Sequence, residues 1–302
     1  MRGTDPVADA PATFAWHGGA LVETELTAHR GLAVADSWYV SPEGRTRAID
    51  AHRDRFLAGV VEQADRLAAE TGVDPGERML AGAERFWGAA IGRLRSYGGS
   101  ALFPRVELAL LDADGAADSP AGARAPGDPA PAAADLLELR LRVRLAPRLR
   151  TSTVLATHDG PDPRTTPRLK GPDLEPLLAL RAAALDDGAD ELVLLRDGLV
   201  VDGSTSALLW WRGETLVAPA SDLPRVASVT ARSIRLIATA TGVPVVEERA
   251  RPADLEGCEV WSVSALHGIT VVEGWVGGPT LVARPTRAAS WRRRLAALSR
   301  PL

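Results

Sequence analysis

The spacing of apolar residues sorts the chain into helical and strand-like stretches. In "AIDAHRDRFLAGVVEQADRLAAETG" apolar side chains fall at 49, 56, 57, 60, 61, 64, 67 and 68, a stripe of helical period, and Gly72 stands where the helix should stop. "AGAERFWGAAIGRLRSYGG" predicts a second helix. "PRVELALLDAD" and "DLLELRLRVRL" alternate as half-buried strands do, and "GGALVETELTA" reads as an opening hairpin. Further along, helices and strands alternate: helix 174–187, strand 191–196, strands near 199–202 and 207–218, helix 229–241, then strands 244–248, 259–263 and 270–275. The helix at 229–241 is framed by Ser228 as N-cap, Gly242 just past its end and Pro244 beyond. The pattern implies an α/β (α+β) protein of two domains. "APRLRTSTV" marks a boundary that divides a smaller domain, 1–147, from a larger one, 148–302. Residues 113–134 are Ala/Pro/Gly-rich with nothing to bury, and are expected to form a mobile hairpin loop.

Composition narrows the partners. Apolar residues make up 46% and charged residues 25%, as in soluble globular chains. A net charge of −4 supplies no basic field for nucleic acid or a membrane surface. No apolar run approaches the ~20 residues of a membrane span, and the N-terminal stretch has no signal-peptide core, so a cytoplasmic location is expected. One cysteine, Cys258, excludes an internal disulfide and a cysteine-rich metal site. His17, His29, His52, His158 and His267 show no close ligand pairing, and no metal is expected.

One residue changes the picture. Lys170, in "TTPRLKGPD", is the single lysine among 35 Lys and Arg residues. A guanidinium stays charged at any physiological pH, whereas a desolvated amine can lose its proton and attack a carbonyl. Compositional drift could leave a stray lysine; so could the need for a Schiff-base former.

The order of features around Lys170 decides between them. A helix at 174–187 follows it, then "DELVLLRDGLVVDGSTSALLWWRGETLVAP", then "VASVTARSIRLIATATGVPVVEE" with a helix starting at Val229-Thr230, then "EVWSVSALHGITVVEGW". Upstream stand "HRGLAVADSWYV" and "IDAHRDRF", the latter with the spacing H-x-x-R. This order resembles the class IV aminotransferases, the fold-type IV pyridoxal-phosphate enzymes. Branched-chain and D-amino-acid aminotransferases and aminodeoxychorismate lyases belong to that family.

The resemblance implies a two-domain architecture with pyridoxal 5'-phosphate between the domains, a homodimer, and a small-molecule amine and 2-oxo acid as substrates. It gives Lys170 the covalent link to the cofactor and the proton transfers at the substrate carbon. It gives Arg55 a charge-assisted contact to the cofactor phosphate. Ser228, Val229 and Thr230 would present a helix N-terminus to that phosphate, and Ser264 or Ala265 would approach it from the "SALHG" turn. Asp202 would face the pyridine nitrogen, where the family usually has Glu. Tyr39, Thr205 and His267 are candidates for substrate contact. The bland alternatives are a turn residue for Asp202, a solvated face for Arg55, core packing for Tyr39, and a structural role for His52 and His267. Trp210 and Trp211, successive strand residues, should face opposite ways and pack.

Several positions depart from the family pattern. G-D-G is Ala35-Asp36-Ser37, the Asn after the S-x-S turn is Ala207, and "SALHGIT" carries Ser264 and Thr270. Three outcomes therefore stand: an aminotransferase, a lyase releasing pyruvate, or a non-catalytic member that binds a ligand or partner.

Overall fold

The computed structural model describes residues 11–25, 31–72, 74–111 and 137–302. The loop expected at 113–134 lies outside them, as do His29 and Arg30. The described residues fall into two units. The first runs to Pro147 and takes in Leu169–Pro172 and Arg300–Leu302; the second comprises Arg148–Arg168 and Asp173–Ser299.

In the first unit, β1 (Ala12–His17) and β2 (Ala20–Glu23) form the opening hairpin. Gly18 and Gly19, both at positive φ (53° and 86°), make its two-residue turn. The hairpin therefore begins earlier than "GGALVETELTA" suggests: the glycine pair is its tip. Then come β3 (Gly31–Ser37), β4 (Arg45–Arg47), α1 (Ile49–Thr71), α2 (Gly76–Leu94), β5 (Arg105–Leu110) and β6 (Leu137–Val143). α1 ends at Gly72 with φ 73°, as its sequence predicts. Five strands form an antiparallel sheet in the order β2-β1-β6-β5-β3.

Strand alternation divides that sheet. Val106, Leu108, Leu141, Val143 and Phe14 pack with Phe56, Val60, Phe86, Trp87 and Ala90 of the two helices. The intervening residues of β5 and β6 are charged and still buried: Arg105, Glu107, Glu138 and Arg140. Register sets Arg105 opposite Arg142 and Glu107 opposite Arg140. Ion pairs Arg105–Glu107 and Arg140–Glu138 offset the cost of burying these groups.

The second unit is built on an eight-stranded mixed sheet. Its elements are β7 (Ser152–Thr157), α3 (Leu174–Asp186), β8 (Glu191–Arg196), β9 (Leu199–Gly203), β10 (Ala207–Arg212), β11 (Thr215–Pro219), α4 (Val229–Ala240), β12 (Val245–Glu248), β13 (Glu259–Ser264), β14 (Gly268–Val276) and α5 (Ala288–Ala296). The strand order is β12-β11-β10-β13-β14-β7-β8-β9. The single strand expected at 207–218 is a hairpin, because Gly213 at φ 55° turns the chain after Arg212. Trp210 and Trp211 do face opposite ways. Trp210 packs with Leu155, Val200, Val217 and Val260, while Trp211 meets Trp261 and Trp291 edge-on, with ring centroids 5.4 and 5.3 Å away. α5 has no counterpart among the expected elements. In "AASWRRRLA" its arginines mask three buried positions, Ala288, Trp291 and Leu295, at helical spacing.

Candidate active site

Lys170 is fixed through its backbone. Its carbonyl accepts a hydrogen bond from Ala35 N (2.8 Å) on β3, an outer strand of its sheet. Gly171 follows at φ +133°, and a Cβ there would lie 2.5 Å from Ala35 N and 2.7 Å from Val34 C. Only glycine lets the chain lie this close. Leu169, on the other side, is buried in the core with Val34 and Phe56. Lys170 itself is half-buried.

Beside it on β3, Asp36 is fully buried. Its carboxylate accepts from His52 Nδ1 (2.8 Å), from Arg55 Nε (2.8 Å) and Nη2 (2.8 Å), and from Ser37 N (2.7 Å). His52 and Arg55 share one face of α1 because they stand three residues apart. Burial alone would raise the Asp36 pKa, but the Arg55 and His52 interactions outweigh it and hold the carboxyl well below its usual range. Burial also lowers the His52 pKa, so the ring is neutral and Nδ1 carries the proton it donates to Asp36. Arg55, expected at a phosphate, is thus ion-paired with Asp36. Tyr39 is half-buried next to the core residue Trp38, and its carbonyl accepts from the Thr46 hydroxyl (2.8 Å).

In the second unit Asp202 lies within β9, opposite Leu194. The turn of that hairpin is Asp197-Gly198, both at positive φ, so Asp202 is a strand residue. It is 6% exposed, and Oδ2 faces Arg164 Nη1 at 3.3 Å. Burial pushes its carboxyl up to about 7; the nearby Glu191 charge adds to this, while Arg164 and Arg225 oppose it. Thr205, in the turn after β9, donates to Glu191 Oε2 (2.6 Å), and Ser204 donates to Glu191 Oε1. Glu191 is buried, so both hydroxyls serve to satisfy it.

The start of α4 is built as expected. Ser228 has extended φ/ψ, and its hydroxyl accepts from Ala231 N (3.2 Å). Val229 and Thr230 form the buried first turn, where backbone N–H groups have no intrahelical acceptor and the helix dipole is positive. Between β13 and β14, Ser264 Oγ accepts from His267 N (3.1 Å) across Ala265 and Leu266. His267 Nδ1 accepts from Arg150 N (3.3 Å). Burial, with the cations Arg150 and Arg181, pulls His267 down to about 4, so it is neutral near pH 7.

Lys170, Arg55 and Tyr39 therefore belong to the first unit, and Asp202, Thr205, Ser228, Val229, Thr230, Ser264, Ala265 and His267 to the second. Arg164, Asp162 and Glu191 do not stand out in the sequence. An arginine among 33 others carries no signal until its partner is seen.

The family model for amino-transferase class IV matches residues 121–275. The chain belongs to that family. No curated protein matches it. Among solved structures it is similar to a hypothetical aminotransferase from Mycobacterium tuberculosis in its PLP-bound form. That match has 17% identity, covers 95% of this chain and 98% of the other, and has a TM-score of 0.69. The branched-chain aminotransferase of Thermoproteus uzoniensis with norvaline gives 18% identity, 95% coverage of both chains and a TM-score of 0.70. An aminotransferase from Brucella abortus bound to the co-factor PLP gives 16% identity, 95% and 97% coverage, and a TM-score of 0.68. At these identities the likeness is one of fold.

Proposed function

We propose that this chain is a pyridoxal 5'-phosphate-dependent aminotransferase that moves an amino group from an amino acid or related primary amine to a 2-oxo acid. The observation that carries the reading is the single lysine, its carbonyl bound to Ala35 N and its neighbour a glycine with no room for a side chain. The residues present suit the cofactor. The buried carboxyl of Asp202 suits a ring nitrogen, and the capped start of α4 suits a phosphate. The bound cofactor supplies an aldehyde and an electron-poor ring that takes up the electrons left at the substrate Cα.

Each residue then has a task. Lys170 Nζ would hold the cofactor and move the proton at the substrate Cα. Asp202 keeps the ring nitrogen protonated. Val229 and Thr230 bind the phosphate through the first turn of α4, with Ser228 fixing that turn and Ser264 or Ala265 adding donors. Arg55, oriented by Asp36, contributes its charge to the phosphate. Tyr39, Thr205 and His267 bear on the substrate. The protein acts as a cytoplasmic homodimer, and a monodisperse monomer at micromolar concentration in scattering would overturn that assembly.

Borohydride reduction of the cofactor-loaded protein, followed by digestion, should recover the label on the peptide containing Lys170. Lys170→Arg keeps the charge but cannot deprotonate, so turnover should vanish while the fold stays intact. Full activity in that variant would refute the reading. Pyruvate released from one substrate without a 2-oxo acid acceptor would place the protein among the lyases instead.

A further inference from the structure

We propose that Arg164 is a positioning residue: clamped by Asp162, it fixes the carboxylate of Asp202 and favours its ionised form toward the cofactor ring. This rests on the placement of Asp202 at the ring nitrogen.

The geometry is that of a guanidinium with little freedom. The Arg164 side chain is 3% exposed. Its Nε donates to both oxygens of Asp162 (2.9 and 3.2 Å) and its Nη2 to Oδ2 (2.8 Å), while its backbone N donates to Oδ1 (3.1 Å). Nη2 also reaches the Pro224 carbonyl (3.4 Å). A planar fork held along one edge cannot rotate without losing those bonds. The opposite edge is thereby aimed, and Nη1 lies 3.3 Å from Asp202 Oδ2.

The other charges facing Asp202 act differently. Arg225 spends Nη1 on the carbonyls of Ala220 and Leu223 and Nη2 on that of Pro219, so it attracts Asp202 only through space. Glu191, on the neighbouring strand β8, repels it. Burial and Glu191 thus favour the protonated acid, which would donate to a ring nitrogen instead of accepting from it. Arg164 is the group that opposes both at contact distance. An aspartate is one methylene shorter than the glutamate usual in the family, so it has less slack with which to find its partner; an arginine fixing it from the protein side makes a short side chain sufficient.

The test uses cofactor-free protein carrying 13C-labelled aspartate carboxyls, with Asp202→Asn to assign the resonance and NMR to follow it with pH. In Arg164→Gln the Asp202 midpoint should rise by about one pH unit, a tenfold shift in the proton equilibrium. Asp162→Asn should raise it by a smaller step, and Arg164→Lys should hold it near that of the unaltered protein. Pyridoxal phosphate affinity should fall in Arg164→Gln and recover in Arg164→Lys. Should Arg164→Gln fail to fold, Asp162→Asn reads the same clamp from its other end. An unmoved midpoint in whichever of these two variants folds would overturn the proposal. A midpoint that shifts as expected, while added cofactor leaves the Asp202 signal unchanged, would overturn the placement of Asp202 and the cofactor part of the proposal with it.

Discussion

Replacing Asp202 with Asn in the cofactor-free protein removes one buried titration and should change how stability depends on pH. The carboxyl titrates at about 7 in the folded chain against an ordinary 3.8. The folded state therefore keeps this proton at pH values where the unfolded chain has released it. With more protons bound in the native state, stability falls as pH rises from about 4 to about 7 and is level above that. The difference between the two pKa values corresponds to about 4 kcal/mol across that window, an upper figure for a group with two arginines nearby. Asn carries no proton to release. It also leaves Arg164 without its second carboxylate, but that cost is constant, because the guanidinium stays charged throughout. Urea denaturation of both proteins at steps from about pH 4.5 to about pH 8.5 should show the Asn variant gaining on the original up to about pH 7 and holding level beyond, by as much as about 3 kcal/mol in all. His267, pulled down to about 4, titrates alike in both and cancels in the difference. A stability difference that stays constant with pH would refute the argument, and with it the claim that Asp202 sits in a dry site.

Gly171→Ala sets a Cβ against the backbone of Val34 and Ala35 at a positive φ; a loss of about 3 kcal/mol is expected in thermal denaturation, with turnover falling further because Lys170 shifts. Ser228→Ala removes the cap on Ala231 N and should cost about 1 kcal/mol, together with a measurable loss of pyridoxal phosphate affinity by fluorescence titration. Asp36→Asn leaves Arg55 without its buried counter-charge and should cost about 3–5 kcal/mol, a figure that chemical denaturation of the cofactor-free protein can check.

The parts of the fold that are legible in the sequence are those written locally. The helix at 229–240 announces itself through Ser228, its apolar stripe and Gly242, because capping and periodicity act within a few residues. Lys170 stands out as a candidate for a chemical reason, since no arginine can do what an amine does. The hairpin of β10 and β11 reads as one strand because both arms are apolar and Gly213 alone marks the turn. α5 escapes a periodicity reading because its polar residues are arginines on the outer face and its three anchors are few.

The partners of the candidate residues are not legible, and the reason is sequence distance. Asp36 and Arg55 are 19 residues apart and Arg164 and Asp202 are 38 apart. Nothing in either stretch selects its counterpart from so many arginines. Yet these pairs set the charge state of the candidate residues. A carboxylate in a strand could titrate near its ordinary 3.8 or at about 7, and the sequence at 202 is the same in both cases. Burial of β9, the Glu191 charge on β8 and the clamp from Asp162 through Arg164 decide between them. Residue type therefore narrows the candidate chemistry, while the charge state of a candidate residue is set by side chains that the fold brings in from elsewhere.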